Sequence, residues 1–196
     1  FTEGKYDVSR IISLCGSEVK KPRYYRTILG TCVANLIEDN VEDGNNRVIC
    51  GDVLSGTKIN KNGYLGFYDT QLTVIKEGNE QEFFGWALPG FNKFSMSKSY
   101  FSWLFPNRKY DIDTNMRGEE RAYVVTGQYE KVLPMDIYPQ QLIKAIMIED
   151  IDLMEKLGLY EVGPEDLALC EFVCTSKIEV QSLIRHGLDI LRKENL

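Results

Sequence analysis

The chain has 196 residues, of which 43% are hydrophobic, and a formal net charge of −6. That length and apolar content are sufficient for one large or two small domains. The acidic balance excludes an evident nucleic-acid-binding footprint, because such binding requires clustered lysines and arginines. No run approaches the roughly 18 to 20 apolar residues that span a bilayer, so we expect no direct membrane span.

The cysteine count indicates the redox compartment of the chain. The odd number of cysteines argues against a secreted disulfide framework and for a reducing cytosol; they lie at positions 15, 32, 50, 170 and 174. The chain starts at Phe1 rather than at a methionine, so we interpret it as a fragment or a processed chain. No charged-then-apolar leader opens it.

Residues 1–81 are predicted to form a small α+β unit. Apolar runs bounded by turn residues predict three strands, at Ser9–Leu14, Arg47–Cys50 and Leu72–Val74. An extended connector should begin at Lys21-Pro22, because proline restricts the residue before it to extended geometry. One helix packed on a small mixed sheet is typical of a β-grasp-like domain.

That one helix is expected to follow Gly30. Thr31 is the predicted N-cap, because its hydroxyl could accept a hydrogen bond from a free backbone N–H in the first turn. The predicted apolar face consists of Cys32, Val33, Leu36 and Ile37.

Residues 82–134 are predicted to be an aromatic-rich connecting segment with short strands. A short helix is expected at Ser97–Phe105, and strands at Tyr110–Thr114 and Arg121–Thr126. The favoured interpretation of the aromatic side chains is a packed satellite core. The alternative is a partner-binding surface, since aromatic residues concentrate at interfaces, and its candidate residues are Trp86, Phe91, Lys93 and Phe94.

Residues 135–196 are predicted to form a small helical bundle. Pro139 suits the first turn of a helix, Asp150 can cap a second helix, and Gly163–Asp166 should begin a third. The last helix has the clearest amphipathic stripe, which consists of Val180, Leu183, Ile184, Gly187, Leu188 and Leu191.

The third of these helices carries a degenerate iron–sulfur motif. Bacterial-ferredoxin motifs run C-x2-C-x2-C-x3-C-P and supply thiolates to a [4Fe–4S] cluster. Here only the final pair remains, Cys170 and Cys174, while Pro164 and Leu167 stand at the lost ligand positions and Thr175 replaces the proline. We therefore expect no metal, and we favour structural burial of both cysteines on one helix face over metal or redox work.

The remaining residues indicate no catalytic site. The single histidine, His186, lies beside the apolar stripe of the last helix and is predicted to be solvated. Asp111 and Asp113 would share one face of a strand and could hold a metal, but an exposed polar edge is favoured. No glycine-rich phosphate or dinucleotide motif is present.

Several long sequence motifs resemble those of a known family. They are similar to the C-terminal part of NqrA, a subunit of the sodium-translocating NADH:quinone oxidoreductase. The motifs occur in the same order along nearly the full length of the chain: Arg10–Leu14 to Leu29-Gly30, Val53–Gly56, Tyr64–Gly66, Phe84–Trp86, Pro89–Ser95, Gly118–Ala122, Gly127–Glu130, Leu133–Ile137 and Glu165–Cys170. Thr175, where the family usually has proline, is the one departure.

The resemblance implies a soluble-ligand-binding β-grasp (SLBB) domain followed by a helical bundle related to ferredoxin-like cluster domains, without the cluster. It implies a peripheral position at the cytoplasmic face of the bacterial inner membrane, with the other subunits of the complex as partners. Those subunits would carry the flavins and iron–sulfur centres, so no cofactor is expected in this chain. The family is also linked to quinone binding.

Three functions follow as hypotheses. The leading one is a structural and docking part of the respiratory complex, with no independent catalysis by this chain. The second is an electron-transfer or metal-binding protein that uses Cys170 and Cys174 with further cysteines from elsewhere. The third is a ligand-binding module whose β-grasp unit holds a small molecule such as a quinone.

Overall fold

The protein is described by a computed structural model that covers residues 3–79, 85, 88–96, 98–124 and 127–194. It divides into two compact units. Unit 1 comprises Phe1–Phe83 and Asn107–Asn115, and unit 2 comprises Phe84–Pro106 and Met116–Leu196. The predicted α+β class is confirmed in its general form, whereas the predicted division into 1–81, 82–134 and 135–196 stays a prediction.

Unit 1 is built on a five-stranded mixed sheet. Its strands are β1 (Ser9–Cys15), β2 (Arg23–Ile28), β3 (Asn46–Cys50), β4 (Thr57–Ile59) and β5 (Gln71–Lys76), in the order β2-β1-β5-β3-β4. β1 and β5 run parallel, and the other neighbouring pairs are antiparallel. The parallel pair lies within the sheet, so the sheet exposes β2 and β4 as its edges.

The alternation of side chains along the strands creates the core of unit 1. Leu14 lies opposite Leu72, and Val48 lies opposite Val74, so that these four side chains are buried on one face of the sheet. The short helix α1 (Ala34–Ile37) contributes its buried leucine and isoleucine to the same cluster.

The three predicted strands of unit 1 are confirmed. Two further strands were not predicted, and the predicted helix cap is wrong. The predicted connector after Lys21-Pro22 contains β2, which is polar because most of its side chains face solvent. β4 has only three residues, too few for a periodic signal. Thr31 is not the N-cap: α1 begins after Val33, and the Thr31 hydroxyl instead donates to the Ile28 carbonyl at 2.7 Å.

A charged cluster joins β3, β4 and the end of β5. The Arg47 Nε donates to both carboxylate oxygens of Glu77, at 2.9 and 3.1 Å, and the Lys58 Nζ donates at 3.1 Å. The hydroxyl of Thr114 also donates to Glu77, and it accepts a hydrogen bond from the N–H of Gly78. The arginine hydrogen bonds, followed by the single hydrogen bond from the lysine, lower the pKa of Glu77 to about 2.

This pKa makes the stability of unit 1 depend on pH. Because the folded pKa of Glu77 lies below its usual value of 4.5, the stabilisation is present above pH 4.5 and is lost as pH falls towards 2. We expect a loss of about 1 to 2 kcal/mol, since solvent screens the exposed lysine partner. Urea unfolding between pH 5 and pH 2 measures it. Glu77→Gln should flatten this part of the pH profile, and an unchanged profile in that variant would contradict the assignment.

Unit 2 contains four α-helices among its described residues. They are α2 (Pro139–Met147), α3 (Ile151–Lys156), α4 (Ala168–Val173) and α5 (Val180–Glu194). Pro139 occupies the first turn of α2, and the Asp150 carboxylate accepts a hydrogen bond from the Leu153 N–H at 3.0 Å, as an N-cap should. Both predictions, and the apolar stripe of α5, are confirmed.

The aromatic-rich region contains less regular structure than predicted. Within Ser97–Phe105 only a 3-10 turn at Phe101–Leu104 is present in the described residues. Neither Tyr110–Thr114 nor the described part of Arg121–Thr126 is a strand. Their hydrogen bonds lie elsewhere: Asp113 accepts from the Asn115 N–H, and the Arg121 N–H donates to the Ser176 carbonyl.

Candidate functional site

The degenerate cysteine motif lies in the core of unit 2. The segment begins with a 3-10 turn, Pro164–Leu167, where the Asp166 carboxylate accepts a hydrogen bond from the Gly163 N–H at 2.8 Å. α4 follows directly and carries Cys170. The prediction that both cysteines share one helix is wrong, because α4 ends at Val173 and Cys174 is its C-cap, with a non-helical ψ of 119°.

Both cysteines are fully enclosed. Cys170 has no exposed surface, and only 2% of Cys174 is exposed. The two lost ligand positions are buried as well, and Leu167 belongs to the same hydrophobic cluster as the cysteines. The residues at this motif are therefore packed as core side chains, and the preference for a structural over a metal or redox role stays a prediction.

Tyr129 is the polar partner of this buried pair. Its hydroxyl donates to the Cys174 Sγ at 3.0 Å, and its ring stacks on Tyr123 with centroids 6.1 Å apart. Burial, together with the hydrogen bond to Cys174, raises the pKa of Tyr129. Burial also raises the pKa of Cys170 to about 11.

The raised pKa of Cys170 limits its reactivity as a nucleophile. A thiolate is the form of cysteine that acts as nucleophile or metal ligand. With a pKa of about 11, the Cys170 thiol stays protonated at neutral pH. Throughout the described residues, no group of three or more histidine, cysteine, aspartate or glutamate side chains is placed to hold a metal ion.

A narrow crevice, with no room for a water molecule, lies beside Cys174. Its lining consists of Tyr123, Val124, Tyr129, Gln140, Cys174, Thr175 and Ser176. Gln140 is held there by its side-chain N–H, which donates to the Glu130 carboxylate at 3.2 Å. The crevice is lined by hydroxyl and amide groups and by only one cysteine, whereas a [4Fe–4S] cluster needs four thiolates.

The sequence did not point to Tyr129 or Gln140. Tyr129 lies inside Gly127–Glu130, one of the motifs that carry the family resemblance. No local spacing connects it with Cys174, which is 45 residues further along the chain. The signal that could have found it is the need of a buried tyrosine hydroxyl for a hydrogen-bond partner.

The predicted interface residues occupy different environments. Phe91 is 46% exposed, and Phe94 stacks on Phe172 with centroids 5.3 Å apart. Lys93 is only 6% exposed, and its Nζ donates to the Gly85 carbonyl at 2.8 Å. Trp86 lies outside the described residues. Lys93 is thus a buried residue that bonds to the backbone of its own segment. The assignment of Trp86, Phe91, Lys93 and Phe94 to an interface stays a prediction.

Phe91 belongs to an exposed group of three rings that we name the Phe91 cluster. The centroid of the Phe91 ring lies 6.2 Å from that of Phe101 and 6.3 Å from that of Phe105. All three side chains, and the neighbouring Trp103 and Leu104, are about half exposed. This arrangement leaves a contiguous apolar surface on unit 2.

The other candidate residues lie outside any site. His186 is exposed, as predicted, and its Nε2 is 3.3 Å from a Glu149 carboxylate oxygen. Asp111 is exposed on an irregular segment, so the predicted face shared with Asp113 on a strand does not form. Among the described helices, none is long and apolar enough to cross a membrane.

These observations define a mixed α+β chain with a buried cysteine motif and an exposed aromatic surface. Residues 11–61 match the family model of an SLBB domain that is described as the NQRA C-terminal domain. This match identifies an SLBB domain within unit 1.

Relatives extend the match over nearly the whole chain. The chain is 46% identical over 195 residues to NqrA of the Na(+)-translocating NADH-quinone reductase of Pasteurella multocida, covering 99% of this chain and 44% of that protein. The NqrA proteins of Rhodopirellula baltica (46% over 97% of this chain and 42% of that protein) and Vibrio anguillarum (43%, 99% and 44%) agree. The predicted resemblance to NqrA is therefore confirmed over nearly the whole of this chain, which spans less than half the length of these relatives.

Proposed function

We propose that this chain is a structural and docking part of a sodium-translocating NADH:quinone oxidoreductase complex. The observation that carries the proposal is the identity of 42 to 46% over nearly the whole chain to the NqrA proteins of that reductase. In this proposal unit 1 is a β-grasp-like domain, and the helices of unit 2 are a cluster-domain frame without its cluster. The chain acts peripherally, at the cytoplasmic face of the bacterial inner membrane, beside subunits that carry the flavins and iron–sulfur centres.

The exposed rings of the Phe91 cluster support a docking role. Contiguous apolar surface is unfavourable in water and marks interaction sites when it is exposed on a folded protein. Aromatic side chains are also enriched in the buried centres of interfaces. We assign the Phe91 cluster to contact with a neighbouring subunit of the complex.

Phe91→Asp in the full-length protein should reduce assembly of the complex at least tenfold, because a carboxylate would be desolvated in the interface. Assembly is measured by co-purification of the other subunits, and turnover is measured in membranes. Tyr68→Asp is the matched control, because Tyr68 is an aromatic side chain that is 90% exposed in unit 1. Full assembly of the Phe91→Asp complex would refute docking at this cluster.

Lys93→Glu is a poor test of docking. The buried Lys93 backbone also receives a hydrogen bond, since the Ser102 hydroxyl donates to its carbonyl at 2.6 Å. A glutamate there would lose the contact of the ammonium with Gly85 and would act through the fold. Thermal unfolding of each variant separates this effect from a loss of docking.

The absence of a cofactor is part of the same proposal. The buried, protonated Cys170 and the packed Leu167 support it. Anaerobic purification followed by iron and sulfide analysis should give no iron in stoichiometric amount and no visible absorption at cluster wavelengths. A bound cluster would instead favour the electron-transfer hypothesis for Cys170 and Cys174.

We also propose that the chain contributes to quinone binding in addition to its docking role. Neither the narrow crevice beside Cys174 nor the names of the relatives assigns quinone contacts to residues of this chain. Titration of the chain with a soluble quinone analogue tests it, and the lack of a saturable signal would remove it.

A further inference from the structure

The free edge of β2 has geometry suited to the addition of another strand. β2 pairs with β1 on one side, and no described strand pairs with its other side. The pairing is continuous from Ser9↔Ile28 to Leu14↔Arg23, without a bulge. Natural sheets protect their edges with bulges, prolines, charges or covering segments. Within its six residues β2 has neither a bulge nor a proline.

The backbone groups that face away from β1 can be identified. The Leu29 N–H donates to the Val8 carbonyl at 2.9 Å. In an antiparallel pair, hydrogen-bonded and non-hydrogen-bonded residues alternate. Tyr25 and Thr27 therefore bond to β1, whereas Tyr24 and Arg26 direct their backbone N–H and C=O groups outwards.

The side chains beside this edge are apolar and exposed. Tyr24 is 78% exposed, and Ile28, four residues further along the strand, is 59% exposed. Ile11 lies opposite Arg26 in the register and is as exposed as Ile28. A strand added at this edge could therefore bury apolar side chains against the same face of the sheet.

The charge at this edge selects the partner. Although the chain carries a net charge of −6, the edge strand and its surroundings are basic, with Arg10, Lys20, Lys21, Arg23 and Arg26. The carboxylate of Asp7 shows that this edge favours negative charge. A hydrogen bond from Ser9, assisted by the charges of Arg10 and Arg26, lowers its pKa. A second copy of this chain would bring two sets of these cations to one seam, which disfavours self-association.

We propose that β2 is a docking edge for an extended, acidic segment of a partner protein, which adds to the sheet as a sixth strand. Main-chain hydrogen bonds to Tyr24 and Arg26 supply affinity, as in other strand-addition complexes. Carboxylates of the added strand pair with the arginines, and its alternate apolar side chains cover Ile11, Tyr24 and Ile28. This inference is independent of the docking role of the Phe91 cluster.

The test uses the 196-residue chain and a capped peptide, Val-Thr-Glu-Thr-Val-Thr-Glu, with a second peptide that has lysine in place of glutamate. NMR titration should show saturable, salt-sensitive binding of the acidic peptide, with slowed hydrogen exchange at the amides of Tyr24 and Arg26. Absence of saturation at millimolar peptide, or equal binding of the lysine peptide, would overturn the proposal.

Two substitutions at one position separate the backbone from the side chain. Tyr24→Pro removes the outward N–H but leaves the pairing with β1 intact, since proline is tolerated on an edge strand. Tyr24→Ala retains that N–H. We expect Tyr24→Pro to weaken peptide binding at least tenfold more than Tyr24→Ala does, with both variants folded by circular dichroism. Equal binding by the two variants, or a concentration-dependent dimer that Tyr24→Pro abolishes, would contradict docking of an acidic segment.

Discussion

Gly16→Ala should destabilise unit 1 by at least about 3 kcal/mol, which combines backbone strain with a steric overlap. Gly16 follows β1 with a φ of +125°, and a Cβ at this position would overlap the carbonyl oxygen of Val74 in β5. That oxygen belongs to the backbone of a central strand and cannot move without breaking the sheet. The expected fall in melting temperature is more than about 12 °C for a unit of this size.

The matched control for this prediction is Gly30→Ala. Gly30 also has a positive φ, +67°, but no atom lies within 4 Å of the position of an added Cβ. Alanine there should cost only the strain of a left-handed backbone, about 1 to 2 kcal/mol. If the two variants had the same free energy of unfolding, the close approach of Val74 would not be the reason for glycine at position 16.

Leu167→Ala should destabilise unit 2 by about 2 to 5 kcal/mol, because it removes a fully enclosed side chain and leaves a cavity. Leu167 has no exposed surface and packs in the cluster that contains Cys170, Cys174 and Ile184. Denaturant unfolding measures the loss. The result matters for function because Leu167 occupies a lost ligand position of the cluster motif.

Leu169→Ala is the control within the same segment. Leu169 lies two residues away in α4 and is 44% exposed, so its truncation should cost less than about 1 kcal/mol. Equal losses in the two variants would mean that the lost ligand position is not packed as core. A larger loss at Leu167 would support the proposal that the helical frame is maintained by apolar packing rather than by metal.

Much of the fold could be predicted from short-range patterns. The strands of unit 1 with buried faces were found because their apolar runs end at turn residues, and α2, α3 and α5 were found from proline, a capping aspartate and an apolar stripe. β2 was missed because its exposed side chains carry no apolar alternation. The expected strands near Tyr110 and Arg121 did not form, because alternation over a few residues does not by itself supply a pairing strand.

The cysteine motif shows where short-range reasoning stops. The loss of two ligands can be read from the spacing alone, since four thiolates must come from four cysteines. The i, i+4 spacing did not place Cys170 and Cys174 on one helix, because the chain leaves helical geometry after Val173. Helix ends depend on capping and packing that spacing does not encode.

The sequence by itself determined the mixed α+β class, the incomplete cluster motif and the similarity to NqrA. Composition, residue spacing and long shared motifs can all be read directly from the order of residues. Only the tertiary structure decided that Tyr129 donates to Cys174, that Lys93 is buried, and that β2 presents a basic free edge among the described strands. These features depend on contacts between residues far apart in the chain. Such contacts are fixed by packing and hydrogen-bond satisfaction rather than by local pattern.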